Sequence, residues 1–113
     1  MQEFVLIIRL DELPEIKFSP DEIGAKMKNF ENWMGDLITR DILVNPGNRL
    51  AEEGRIIRNG VITNGPYVEI KEIIGGFIII RAKSIDEAAE IANTAPLDEN
   101  GTIEVRKIYS DNN

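Results

Sequence analysis

Residues 4–10 read FVLIIRL, and the fold follows from what their two faces carry. Seven residues rich in branched and aromatic side chains are too few for a stable helix and suit a strand. Side chains of a strand alternate, so Phe4, Leu6, Ile8 and Leu10 fall on one face and Val5, Ile7 and Arg9 on the other. Both faces are apolar up to Arg9. A second segment of this kind, Phe77–Ala82 (FIIIRA), is entered through Gly75-Gly76. Strands apolar on both sides ask for cover on both sides.

Working outward, Ser19-Pro20-Asp21-Glu22 combines an N-cap serine, proline at the first helical position and glutamate at the capping-box position. A helix is expected from there, with Ile23, Met27, Phe30, Met34, Leu37 and Ile38 as one apolar stripe and Trp33 at its margin. Asn45-Pro46-Gly47-Asn48 reads as a turn cluster, and Leu50–Arg58 as a strand interrupted at Gly54. Asn59-Gly60 between Ile56-Ile57 and Val61-Ile62 is a hairpin signal. Asn64-Gly65-Pro66-Tyr67 predicts a sharp turn after a short strand ending at Thr63. Ser84-Ile85-Asp86-Glu87 repeats the capping box and opens a helix over about 85–92, with Pro96 as its far limit. Thr102–Tyr109 reads as the last strand, and 110–113 as a frayed tail of a single domain spanning 1–113.

The order strand, helix, strand pair, strand, helix, strand is the split βαβ arrangement of a ferredoxin-like α+β domain with an extra β-hairpin. Its antiparallel sheet carries two helices on one face. If the helices cover Phe4, Leu6, Ile8 and Leu10, the other face presents Val5 and Ile7 with either Ile78 and Ile80 or Phe77 and Ile79. Left open, that is a larger apolar patch than monomers usually carry. A second copy, sheet against sheet about a two-fold axis, is the economical cover, so a homodimer is expected.

Composition narrows the chemistry. The chain has 113 residues, 42% of them hydrophobic, with no cysteine and no histidine. Disulfides, thiolate metal sites, cysteine nucleophiles and every mechanism needing imidazole are excluded. The net charge of -7 disfavours direct nucleic-acid or anionic-membrane binding, which need a basic face. No segment approaches transmembrane length and acidic Glu3 stands where a signal peptide would be basic, so a cytoplasmic protein is expected. Asp98-Glu99-Asn100-Gly101 is too short for a calcium loop, and no metal or cofactor is expected.

From Phe30 to Arg106 the sequence resembles the YCII-related proteins, specifically the branch named for an Asp-Gly-Pro-Phe motif. The matching features are Phe30 and Trp33, Leu50, VITNGPYVEIKE at 61–72, Gly75-Gly76-Phe77, Asp86-Glu87-Ala88, Pro96 and Glu104-Val105-Arg106. Asn64 stands where the motif has aspartate, and Tyr67 where it has phenylalanine. The resemblance implies a dimeric α+β barrel. The founding branch has a histidine and an aspartate proposed as catalytic; with no histidine here, that activity does not carry over. Some members of the branch are labelled transcription-initiation proteins, which implies a transcription-related protein partner as one option.

Two groups of residues are candidates for a site. Glu69 and Lys71, after Tyr67, share a strand face and would sit at the mouth of a dimer cleft, or else form an ordinary solvated edge. Arg9, Arg81, Glu104 and Arg106 interrupt strands otherwise apolar. Glu104 and Arg106 share a face, and with Arg9 beside them two guanidiniums and one carboxylate would meet, suited to a small carboxylate or phosphate. The plain alternative is a self-satisfied ion network. Trp33 is a core residue by its helical spacing, with lining of a cavity as the alternative. Three functions are carried forward: a homodimer binding a small anion or a protein partner in or near the cleft; a cofactor-independent isomerase- or lyase-like enzyme using Glu69 or Glu104 with Arg106; and a regulator of transcription initiation.

Overall fold

The computed structural model describes residues 1–65 and 73–110. At its centre lies β1 (Gln2–Leu10), flanked by β5 (Ile73–Ala82) and β6 (Thr102–Lys107), with β2 (Leu43–Arg49) outside β5. The order β2-β5-β1-β6, antiparallel throughout, is that of a ferredoxin-like sheet. The two strands apolar on both faces are therefore the two central ones. Helices α2 (Pro20–Thr39) and α3 (Ile85–Ala92) cover one face.

Register decides which residues meet them. Phe4 stands opposite Ile80, and Leu6 opposite Ile78 and Val105. These pack with Trp33 and Leu37 of α2 and Ala88, Ile91 and Ala92 of α3 as one core. Phe4, Leu6, Leu37 and Ile80 are completely buried, each contributing about 1.5–3 kcal/mol relative to exposure. The alanines of α3 bring it close to the sheet. On the opposite face Val5 pairs with Ile79 and Ile7 with Phe77, so of the two pairs open from sequence, Phe77 and Ile79 belong there. None of these four joins the core, and all are half-buried. The molecule measures 41 × 39 × 19 Å; its thinnest dimension accommodates one helix layer and one sheet layer. One face of the sheet is thus an outer surface.

Local chemistry explains the elements. Ser19 Oγ accepts from Glu22 N at 3.2 Å while the Glu22 carboxylate accepts from Ser19 N at 3.0 Å, the reciprocal capping box expected. At α3, Ser84 Oγ accepts from Glu87 N at 3.1 Å, but the Glu87 carboxylate turns one residue further back, to Lys83 N. Trp33, at the margin of the stripe, is buried in the core as its helical spacing suggested, its indole N–H donating to Thr94 Oγ1 at 2.9 Å. Ile38 is exposed at 63%, because the buried line of α2 runs through Trp33 and Leu37.

Three expectations about turns are corrected. Asn45-Pro46-Gly47-Asn48 lies within edge strand β2, where register shifts and the positive φ of Gly47 make a bulge; Asn45 Oδ1 accepts from Gly47 N at 2.8 Å. Turn-forming residues serve here to bend an edge strand, the place where proline is tolerated. The strand expected over 50–58 begins only at Gly54, as β3 (Gly54–Arg58). Asn64 and Gly65 are extended in β4 (Val61–Gly65), opposite Arg55 and Gly54, because the hairpin ladder runs that far; the rest of the expected corner lies outside the described residues. Asn59 and Gly60 adopt positive φ as the hairpin turn requires. A one-turn helix, α1 (Pro14–Lys17), precedes α2; its Pro14 has φ suited to a first helical turn.

Candidate functional site

The outer face of the sheet carries the charged residues that interrupt the strands. Glu104 lies across from Ile7 and Arg106 from Val5, while Arg9 pairs with Thr102, so all three side chains share the face of Val5 and Ile7. Arg9 Nη2 donates to Glu104 Oε1 at 3.4 Å, and Arg106 Nη1 donates to Glu104 Oε2 at 3.3 Å. Side-chain exposure rises from 26% at Arg9 through 40% at Glu104 to 69% at Arg106. The cluster therefore runs from the apolar sheet outward to solvent. Two guanidiniums share one carboxylate, leaving one positive charge in excess.

Arg81 projects on the same face but not into this cluster. It stands opposite Glu3 at the other end of the β1–β5 ladder, and its Nε is buried with no hydrogen-bond partner among the described residues. A buried donor without an acceptor is costly, and such a group calls for an acceptor from water, an ion or a partner.

Chemically, the face has forked donors suited to a small carboxylate or phosphate, set beside apolar side chains but open to solvent. Both oxygens of Glu104 are already engaged by arginines, so a base role for Glu104 would require one of them to let go. Among the described residues no three acidic side chains converge as a metal-ligand set. Tyr67, Glu69 and Lys71 lie outside the described residues. Trp33 faces α3 within the core and stands apart from the cluster.

The hairpin β3–β4 is a second unsatisfied surface. It forms its own two-stranded sheet and leaves Ile57, Val61 and Ile62 exposed at 72%, 60% and 67%. The radius of gyration is 15.4 Å, where about 13 Å is expected of a compact domain this size, and a hairpin standing as its own sheet is one contributor. The alternation of Ile56-Ile57 and Val61-Ile62 announced the hairpin; nothing in the sequence announced that it would stand away from the core.

No helix among the described residues is long and apolar enough to cross a membrane. No curated protein matches the chain. The profile of the YCII-related domain matches residues 26–111, from the middle of α2 through β6, which includes the sheet strands β2, β5 and β6 and both arginine positions Arg81 and Arg106. The ferredoxin-like order of strands and the extent of this match agree, and the chain belongs to the YCII-related family.

Proposed function

We propose that the chain acts as a homodimeric binding domain, joined sheet to sheet through Val5, Ile7, Phe77 and Ile79, with a small anion held at the Arg9–Glu104–Arg106 cluster by the cleft. The observation that carries this reading is the pairing of two guanidiniums with a single carboxylate on an apolar, helix-free sheet face. The buried Arg81 Nε supports it, since a facing copy or an anion supplies the acceptor it lacks. In a chain of net charge -7, a local excess of arginine on one face marks where a negative ligand is accepted. Asn64-Gly65-Pro66-Tyr67, standing where the Asp-Gly-Pro-Phe branch has its motif, supports membership of that branch.

Sedimentation equilibrium combined with a thermal-shift screen of small carboxylates and phosphates tests the proposal. Dimers at micromolar concentration, with a saturable anion-dependent rise in melting temperature, are expected. A monomer, or an anion effect that survives replacement of both Arg9 and Arg106 by methionine, contradicts it.

A protein-partner reading is favoured by one separate feature, the hairpin with Ile57, Val61 and Ile62 exposed. On that reading, which includes a partner from transcription initiation, retention of the partner in pull-downs survives changes at Glu104 and is lost when these three residues become serine.

A further inference from the structure

On the helix side of the sheet, away from the Arg9–Glu104–Arg106 cluster, a cavity of about 310 Å³ separates the N-terminal half of α2 from β1 and β5. Its apolar wall includes Ile8, Ile23, Met27, Phe30, Met34 and Ile78. An apolar helical stripe ordinarily buries itself against the core. Instead only Trp33 and Leu37 are buried, Ile23, Phe30 and Met34 are half-buried, and Met27 is 42% exposed. The helix stands off the sheet where these side chains point.

Protein interiors hold few voids larger than a water molecule, and an apolar cavity of about half this size is enough to bind benzene. The volume lies at the small end of the range for ligand sites, and its lining of apolar side chains with a few polar groups at the mouth is what such sites present. Two methionines in one wall add adaptability, since their unbranched side chains reshape around a guest.

The mouth specifies the charge of that guest. Lys26, Arg49, Glu31 and Asp98 line it, two cations and two anions. Lys26 Nζ is bonded to Asp98 Oδ1 at 2.5 Å, tying α2 to the chain after α3, and Arg49 is paired with Glu15. Both cations are thus already paired, which leaves none to receive an anion; Glu31, the one of the four without an ion pair among the described residues, is exposed to solvent at the rim, where its charge is screened. We infer that this cavity binds an uncharged, largely apolar small molecule, with any hydrogen-bonding end at the Lys26–Asp98 mouth. The site does not require the sheet-to-sheet association proposed above, although Phe77, placed in that association, also contributes to its lining.

The three methionines of the chain make a direct test, because Met27 and Met34 line the cavity whereas Met1 is 76% exposed at the chain terminus. Protein labelled with ¹³C at the methionine methyl groups is titrated with N-phenyl-1-naphthylamine, an uncharged aromatic probe whose fluorescence rises in apolar surroundings. Saturable fluorescence at one probe per chain is expected, with ring-current shifts at the Met27 and Met34 methyls and none at Met1. Met27→Phe, which fills the mouth, should weaken the probe by roughly tenfold or more, while Ile57→Ser in the hairpin leaves it unchanged. Absence of saturable binding, unmoved Met27 and Met34 signals in the unaltered protein, or loss of binding in the hairpin variant instead overturns the inference.

Discussion

Arg9 and Glu104 stand 95 residues apart and meet diagonally across β1 and β6, Nη2 to Oε1 at 3.4 Å. Glu104 answers a second arginine, Arg106, with its other oxygen. Glutamate here competes with any outside anion for the same two forks. Glu104→Gln should therefore raise the affinity for phosphate or a small dicarboxylate severalfold at low ionic strength. The fold changes little, since pairs this exposed contribute about 0–1 kcal/mol. Titration calorimetry checks the first part and urea denaturation the second; an affinity that falls would identify Glu104 as a ligand contact rather than a competitor.

Neighbouring positions on β5 predict opposite failures. Ile80 is completely buried against the helices, whereas Ile79 pairs with Val5 on the outer face. Ile80→Ala should cost about 2–5 kcal/mol of stability, read from chemical denaturation. Ile79→Glu should leave the protomer folded and abolish self-association in sedimentation equilibrium. A dimer that survives Ile79→Glu removes the sheet-to-sheet arrangement.

The indole of Trp33 depends on Thr94, which accepts its proton and donates its own to Ile91 O at 2.6 Å. Thr94→Val keeps the shape but strands the indole N–H in the core, a loss of about 1–3 kcal/mol. Trp33 is the single tryptophan, so its fluorescence in urea reports the change directly.

The central strands, the capping box of α2, the serine N-cap of α3 and the Asn59-Gly60 hairpin were legible because each is a local pattern with one good structural outcome. The face shared by Arg9, Glu104 and Arg106 was legible as a condition, awaiting the register that pairs Ile7 with Glu104. Other features were not. Asn45 to Asn48 carries turn chemistry, and residue type alone does not distinguish a free turn from a bulged edge strand held by β5. The cavity was hidden for a different reason: the 3.6-residue stripe of α2 tells which side chains point inward, not how far the helix stands from the sheet. The clue available was Gly75-Gly76, placed near the shift of the β1–β5 register after Ile8.

The start of α2 gives the pH dependence. Hydrogen bonds from the Ser19 backbone and side chain hold the Glu22 carboxyl below its ordinary value of 4.5. A carboxyl depressed in the folded state stabilises above its unfolded pKa, and that contribution fades as pH falls through the folded value. Acid titration of thermal stability should thus show a component below pH 4.5 that Glu22→Gln removes. Ser19→Ala should cost about 1 kcal/mol at neutral pH, measured by chemical denaturation.

Gly47 and Gly60 separate two kinds of glycine requirement. Both have positive φ, +62° and +79°. A Cβ on Gly60 meets nothing within 4 Å, whereas one on Gly47 would fall 1.7 Å from the backbone oxygen of Phe77. Gly60→Ala therefore meets only the left-handed conformational penalty, about 1–2 kcal/mol. Gly47→Ala adds a collision with the backbone of a central strand that no rotamer relieves, so β2 must pull away from β5. A loss above about 4 kcal/mol is expected, with hydrogen-exchange protection falling first at the β2–β5 ladder. Equal costs at the two positions would mean that the bulge in β2 shifts freely, and that the edge of the sheet is not fixed by the approach of Gly47 to Phe77.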